Sequence, residues 1–411
     1  MKILILSTFA STGGAAIAAN RLMRALNANG AEATMLCRRN LRLPLWKEKW
    51  GGVPFLLERL KIWLANGMSG RNLFAVDIAC CGDDVTSTKA FKDADVIHLH
   101  WVNQGFISIR TLQRIVNSGK RIVWTMHDQW PMTGICHYSE ECTRYEKGCG
   151  HCPLLKDCGA DDLSRSVFLK KQRIYSGGRI TFVTCSEWLG RMARASMLAR
   201  GQKVVAIPNP IDTTVFHHIP RNEARTMTGL PAQGTLILFG CQKVTDKRKG
   251  LDYLISALGE LDSITVVLVG GNAEATRALM PQGVHTVCAG QVSSADTMAA
   301  LYAAADAFVT PSLQDNLPNT IMEAMAVGTP CVGFNVGGIP EMIDHKVNGY
   351  VARYRDAHDL AQGIRYVTDT ANAARLATAA REKVTEQYSE RSVAERYMAV
   401  YRDGDGNDGH I

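Results

Sequence analysis

Short apolar runs closed by turn residues alternate with helical patterns from one end of the 411-residue chain to the other. No other feature constrains the fold as strongly. Parallel strands cannot be joined by a tight turn and usually connect through a helix, so the repeat reads as strand-helix-strand units in parallel sheets. The pattern predicts strands over 2–7, 31–37, 95–100, 121–126, 180–185 and 203–207. After the turn-rich "IPNPID" of 207–212, further strands are predicted over 235–240, 264–270, 284–289, 306–310 and 330–334. A chain of this length exceeds what one hydrophobic core sustains. The expectation is an α/β protein of two doubly wound, Rossmann-like domains. They cover 1–208, with a cysteine-rich loop at 136–158, and 209–388; a last helix and a mobile Gly-rich tail occupy 389–411.

No window approaches the roughly 18 uninterrupted apolar residues of a membrane-spanning helix. "MKILILS" is a buried first strand rather than a secretory leader, because Ser7 to Gly14 break the apolar run, so a cytoplasmic location is expected. Charge is uneven along the chain. Residues 1–208 carry 29 Lys and Arg against 16 Asp and Glu, and 209–411 carry 17 against 23, giving +13 and −6. Such a split suggests that the first half meets something anionic.

Functional loops of doubly wound sheets lie at the carboxyl ends of the strands. Those positions hold Gly13 and Gly14, then His100 with Trp101, His127 with Asp128, Ser186 with Glu187, Asn209, the basic "KVTDKRKG", Gly270 with Gly271, and "SLQDNLPN". The densest stretch is "PSLQDNLPNTIMEAMAVGTPCVGFNVGGIPEMI". Here a strand runs into a loop and then into a helix that starts near Pro318 and stops at Gly328. A helix amino terminus in that place offers N–H groups and a positive dipole end to an anion such as a diphosphate. Asp315 in the loop and Glu323 on the helix can each accept hydrogen bonds from sugar hydroxyls.

This segment resembles the donor-site signature of retaining glycosyltransferase family 4, which has the GT-B fold of two facing doubly wound domains with a cleft between them. A carboxylate-x7-Glu motif followed by "EAMA-x-G-x-P-V" is matched by Asp315, Glu323, Ala324 to Ala326, Gly328 and Pro330, with Asp315 standing where the family usually has Glu. Gly13 and Gly14 match the family's glycine loop, "WTMHD" its active-site histidine strand, "IPNPID" its interdomain motif, and "SERSVAERYMAVY" the last helix that crosses back onto the first domain. The resemblance implies a hexosyltransferase-type enzyme moving a sugar from a UDP- or GDP-sugar to a glycan or lipid-linked acceptor, in bacterial exopolysaccharide, capsule or lipopolysaccharide synthesis. By residue, it implies His127, Lys249 and Asp315 as catalytic. It puts Gly14, Lys247, Arg248, Asn316, Leu317, Pro318, Asn319 and Glu323 on the donor, and Gly13, His100 and Trp101 on the acceptor side. In the family an Arg and a Lys stabilise the leaving diphosphate; Lys249 matches the Lys, while the Arg position falls at Lys243 or Val244, with Arg248 or Lys247 as substitutes. The implied reaction is a front-face one in which the departing phosphate takes the acceptor proton.

No catalytic metal is expected, since the D-x-D candidate Asp93/Asp95 lies at the amino end of a strand. The cysteines Cys136, Cys142, Cys149 and Cys152, spaced C-x5-C-x6-C-x2-C, suit a structural tetrahedral zinc; a disulfide pair and free thiols remain alternatives. Cys158 is a spare ligand, and His137 or His151 could replace one cysteine. A similar cysteine-rich loop occurs in the subset of the family that includes colanic-acid and exopolysaccharide transferases.

Residues 41–66 interleave Trp46, Trp50, Phe55, Leu56, Leu60 and Trp63 with Arg42, Lys47, Lys49, Arg59 and Lys61. They read either as a basic-aromatic element at an anionic membrane surface or as a helix packed on the domain with its basic face solvated. Peripheral membrane contact at the inner face of the membrane is thus expected, and no nucleic acid. Two other readings stand behind the transferase: a nucleotide-sugar epimerase of the same fold, and a zinc-containing nucleic-acid-binding protein. The cysteines lack the paired C-x2-C knuckles the latter would want.

Overall fold

The computed structural model describes residues 1–38 and 52–403. Arg42, Trp46, Lys47, Lys49 and Trp50 lie outside the described residues, as does most of the tail, 404–411. The chain divides into two compact units, Met1–Pro208 with Val393–Ile411, and Asn209–Ser392.

The first unit is built on β1 (Lys2–Ser7), β2 (Glu32–Cys37), β3 (Val96–Leu99), β4 (Arg121–Met126), β5 (Ile180–Thr184) and β6 (Lys203–Ala206). They form one sheet in the order β2-β1-β3-β4-β5-β6, parallel throughout. Alternate residues feed opposite faces, as the pleat requires. Leu4, Leu6, Ile97, Leu99, Trp124 and Phe182 pack under the helices Ile109–Val116, Leu163–Ser176 and Glu187–Ala195. Ile3, Ile5, Val96, Val123 and Val183 pack under the helices Gly14–Ala28 and Glu390–Arg402. With both faces covered, the central strands β1, β3, β4 and β5 read as nearly continuous apolar runs, while the edge strands β2 and β6 are less buried.

In the second unit β7 (Thr235–Lys243), β8 (Ile264–Gly271), β9 (His285–Gly290), β10 (Ala307–Thr310), β11 (Cys331–Phe334) and β12 (Gly349–Ala352) form a sheet in the order β12-β11-β10-β7-β8-β9. The edge strand β12, "GYVA", is the one the sequence pattern did not yield. Its apolar run is only Tyr350 to Ala352, between Gly349 and the polar "RYRD", and β12 is recognisable only through its parallel pairing with β11.

Strand order reverses between β1 and β3 in the first unit and between β7 and β10 in the second. Loops leaving the carboxyl ends of two such strands diverge to opposite sides, and the opening they leave is where ligands bind in folds of this class.

Candidate functional site

At the reversal in the second unit, the turn after β7 and the loop after β10 meet. Lys249 Nζ donates to Asp315 Oδ2 at 2.5 Å, so one expected catalytic residue from each strand end joins in an ion pair. Backbone contacts hold the pair in place. Leu313 N–H donates to Arg248 O at 2.7 Å and Gly338 N–H to Asp315 O at 3.2 Å. Gly250 sits at φ 71°, and a Cβ there would come within 1.9 Å of Pro311 O. Gly337, at φ 62°, backs Asp315 O in the same way at 1.8 Å. Only glycine permits either approach.

The helix Asn319–Val327 begins beside this pair. Pro318 stands at its N-cap and offers no hydrogen-bonding side chain to the first turn, while Gly328 ends it in the left-handed conformation. Asn316, Leu317 and Pro318 are buried in the approach to the helix. Asn319 Oδ1 accepts from Asn209 Nδ2 at 3.0 Å, which ties "IPNPID" to the helix start. Glu323, one turn on and half-buried, accepts from the Tyr302 hydroxyl at 3.2 Å. Arg248 turns to Asp246 at 2.7 Å, and Lys247 is exposed. Burial alone would raise the Asp246 carboxyl, but Arg248 outweighs it and holds the pKa below the usual value. Of the two positions matching the family's Arg, Val244 is fully buried and Lys243 exposed.

In the first unit the expected acceptor-side residues gather at the ends of β1, β3 and β4. Gly13, at φ 88°, caps the helix Gly14–Ala28, of which Gly14 is the first residue. Thr8 N–H, just past β1, donates to Trp101 O at 2.8 Å, and the Phe9 and Trp101 rings stack 6.0 Å apart. His100 Nδ1 and His127 Nε2 pair at 2.9 Å. Burial pushes His127 down to about 4 and His100 well below its ordinary value, so both imidazoles are neutral near pH 7.

Beside them lies a buried network that sequence reasoning missed. Trp101 Nε1 donates to Asp128 Oδ2 at 2.7 Å. His137 bridges Asp128 at 2.7 Å through Nδ1 and Asp77 at 2.8 Å through Nε2. Arg59 pairs with Asp77 in turn, and Glu58 accepts from Ile78 N–H at 2.9 Å. Burial alone would lower His137, but Asp128 and then Asp77 raise it to about 10, so it is an imidazolium between two carboxylates. Glu58 is pushed up to about 8, first by burial and then by Asp77. The lone usable signal was Asp128 directly after a strand-end histidine.

Cys136, Cys142, Cys149 and Cys152 all line one cavity of about 20 Å³, together with Tyr145 and Ser164. None of the four sulfurs is bonded to another in this structure. Cys158 is exposed, apart from the four. His137 cannot replace a cysteine, because both ring nitrogens are bonded to carboxylates. Among the described residues no group of three or more His, Cys, Asp or Glu side chains is set to hold a metal ion as it stands. Gly134 N–H donates to Cys149 Sγ at 3.3 Å, and backbone groups of Leu154 and Leu155 bond Cys152. The buried ammonium of Lys171 props the same loop, donating to Trp130 O at 2.7 Å and Thr133 O at 3.0 Å; burial lowers its pKa to about 7.

Family models match both halves of the chain: "Glycosyltransferase Family 4" over residues 12–215 and "Glycosyl transferases group 1" over 234–370. N-acetyl-alpha-D-glucosaminyl L-malate synthase of Bacillus anthracis is 35% identical over 109 residues, 26% of this chain and 29% of that protein. A GDP-mannose-dependent alpha-(1-6)-phosphatidylinositol monomannoside mannosyltransferase of Mycobacterium tuberculosis is 29% identical over 245 residues, 55% of this chain and 62% of that one. The chain thus spans less than two thirds of the length of either relative. Among solved structures, sucrose-phosphate synthase of Thermosynechococcus elongatus superposes with a TM-score of 0.67 at 18% identity, covering 98% of this chain and 99% of its own. HepE of Anabaena, in complex with UDP and glucose, gives 0.63 at 16%, covering 98% and 100%. At these identities the likeness is one of fold.

Proposed function

The chain is of the GT-B, family 4 glycosyltransferase type, and from that premise we propose that it is a retaining glycosyltransferase using a nucleoside-diphosphate sugar, UDP- or GDP-linked. The observation that carries the reading is the Lys249–Asp315 ion pair at the β7/β10 reversal, beside the amino end of the helix Asn319–Val327. An ammonium and a helix dipole fixed there in advance suit a diphosphate whose negative charge grows as the sugar leaves. Glu323 serves the ribose and Asp315 the transferred sugar, each as an acceptor of hydroxyl hydrogen bonds. The C1–O bond to phosphate breaks, the acceptor oxygen bonds C1 on the same face, and a phosphate oxygen takes the acceptor proton. Neutral His127 and His100 line the acceptor side with Trp101. HepE was solved with UDP-glucose, and the Mycobacterium relative is named as a GDP-mannose-dependent phosphatidylinositol monomannoside mannosyltransferase; the second suits a role in bacterial surface-glycan synthesis.

The test is transfer from a panel of UDP- and GDP-sugars, with nucleotide binding read by thermal shift. A nucleoside diphosphate at about 100 times its Kd adds roughly 2.7 kcal/mol of stability. Lys249→Ala should lower kcat by about 100- to 1,000-fold. Glu323→Gln should weaken nucleotide-sugar binding with the fold intact. Full activity in both variants would remove the donor assignment.

For the cysteine loop we propose one structural zinc ion. Four thiol donors, room for one ion and N–H groups directed at two sulfurs are what thiolate ligation uses, and a bound cation would supply the charge needed to offset the burial that raises the Cys136, Cys149 and Cys152 thiols. The sulfurs line the cavity without converging, so binding draws them inward by side-chain rotation. Elemental analysis of the purified chain should find about one zinc per chain, and chelation should lower the melting temperature and make the four thiols titratable. Metal-free protein with those thiols titratable from the start would overturn the proposal.

A further inference from the structure

The helix Val53–Ala65 is inside out. Its charged residues Glu58 and Arg59 are buried with Ile62, while Leu56, Leu57, Leu60 and Leu64 face outward. At 3.6 residues per turn those four leucines fall within an arc of about 100°, a continuous stripe. The outward apolar surface continues past the helix through Met68 and Phe74, and the six side chains are between 48% and 69% exposed. They make up half of the exposed large apolar side chains among the described residues, drawn from a stretch of 19 positions. The expected solvated basic face is therefore corrected at Arg59, whose guanidinium is committed to Asp77 and to the carbonyl of Val76 at 2.9 Å.

The inward charges fix the helix in this orientation. Glu58 accepts from Ile78 N–H, Arg59 holds Asp77, and Asp77 continues through His137 and Asp128 to Trp101. Rolling the helix would hide its leucines, which is favourable, but it would leave the buried charges of that network unpaired, and this cost opposes the roll. An apolar patch held open this rigidly marks a contact surface.

Charge and composition point to the occupant. Exposed Lys61 and Arg71 flank the patch. In sequence, the stretch directly before the helix adds Arg39, Arg42, Lys47 and Lys49 against a single acid, Glu48, interleaved with Trp46 and Trp50. Leucine and phenylalanine bordered by lysine, arginine and tryptophan is the composition of an interfacial helix on an anionic bilayer. No described helix is long and apolar enough to cross one. We infer that the leucine face of Val53–Ala65, with Met68 and Phe74, docks the protein on an anionic lipid surface, and that the buried ion network anchors this face to the acceptor-side strand ends of the same unit.

The inference is independent of the sugar chemistry, and the experiment leaves that chemistry aside. The full chain is mixed with large unilamellar vesicles of phosphatidylglycerol and phosphatidylcholine in equal parts, and with pure phosphatidylcholine, and bound protein is measured by co-sedimentation. Wild type should partition onto the anionic vesicles and only weakly onto the neutral ones. Leu60→Gln/Leu64→Gln should lose about tenfold or more in partitioning, and Lys61→Ala/Arg71→Ala should bind less and with a shallower salt dependence. Because the leucines are exposed, melting curves of the leucine variant should match wild type. Three results overturn the inference: no wild-type binding to anionic vesicles, unchanged binding by the leucine variant, or a wild-type dimer that the leucine substitutions dissociate, which would give the face to a second copy.

Discussion

His137 shows how far one residue can organise a unit. It holds Asp77 and Asp128 together from opposite ring nitrogens, and those carboxylates hold Arg59 on one side and Trp101 on the other. Replacing it by Gln leaves two buried carboxylates facing a neutral side chain, a loss of about 3–5 kcal/mol by comparison with other broken buried pairs. The size of that loss depends on pH. A folded-state pKa raised from 6.5 to about 10 contributes stability that is complete below about 6.5 and disappears as pH climbs through 10. Glu58 and Lys171 titrate in the same interval, so the informative quantity is the difference between wild type and His137→Gln, not either curve alone. Melting temperatures should differ most at pH 6–7 and converge toward pH 10. A gap that stays constant over that range would show that His137 is not a charged bridge.

Among the elements, the turn between β7 and the helix Leu251–Leu258 does the most with the fewest residues. It delivers Lys249 to Asp315 only because Gly250 lets the chain pass within touching distance of the loop after β10. Gly250→Ala adds both a strained φ of 71° and a contact at 1.9 Å, so the turn must move away from Pro311. The expected outcome is a destabilisation of about 1–3 kcal/mol by denaturant titration, with nucleotide-sugar turnover lowered as severely as by removing the ammonium. Unchanged turnover would mean that Lys249 does not act from this position. The turn also marks the boundary of what sequence could tell. Glycine next to lysine after an apolar strand, followed by an apolar helix, is local information, and so were the central strands, whose burial on both faces writes itself as apolar runs. Pairings across distance are not local. Nothing near Arg59 announces Asp77, and nothing near Asp77 announces His137, so the helix Val53–Ala65 was read with its basic residues outward when the structure buries one of them. The cysteines fall between these cases: their crowding was visible, but their sharing of one cavity depends on the fold of 133–164.

At the scale of the whole molecule, the chain's end completes the core of its beginning. The helix Glu390–Arg402 seals one face of the first sheet, with Val393, Ala394, Tyr397, Met398 and Tyr401 packed on Ile3, Ile5 and Val123. Its hydroxyls close a buried circuit: Tyr401 OH meets His98 Nδ1 at 2.7 Å, His98 Nε2 meets Thr125 Oγ1 at 2.8 Å, and Thr125 Oγ1 meets Tyr397 OH at 2.8 Å. These contacts join residues about 300 positions apart in sequence, as Tyr401 and His98 show. The first unit therefore reaches its native core only after the second has been synthesised, since Asn209–Ser392 lies between. Burial pushes His98 down to about 3, so its ring is neutral and depends on these two hydroxyls. Tyr401→Phe removes one partner and leaves His98 Nδ1 unsatisfied in an apolar setting, a cost of about 1–3 kcal/mol. The loss should be local to one unit. Hydrogen exchange read by mass spectrometry should show faster exchange in β1, β3 and β4, with 209–392 unchanged. Equal loosening of both units would mean that they unfold as one cooperative body, and no change at all would mean that the hydroxyl circuit contributes nothing to the first unit's core.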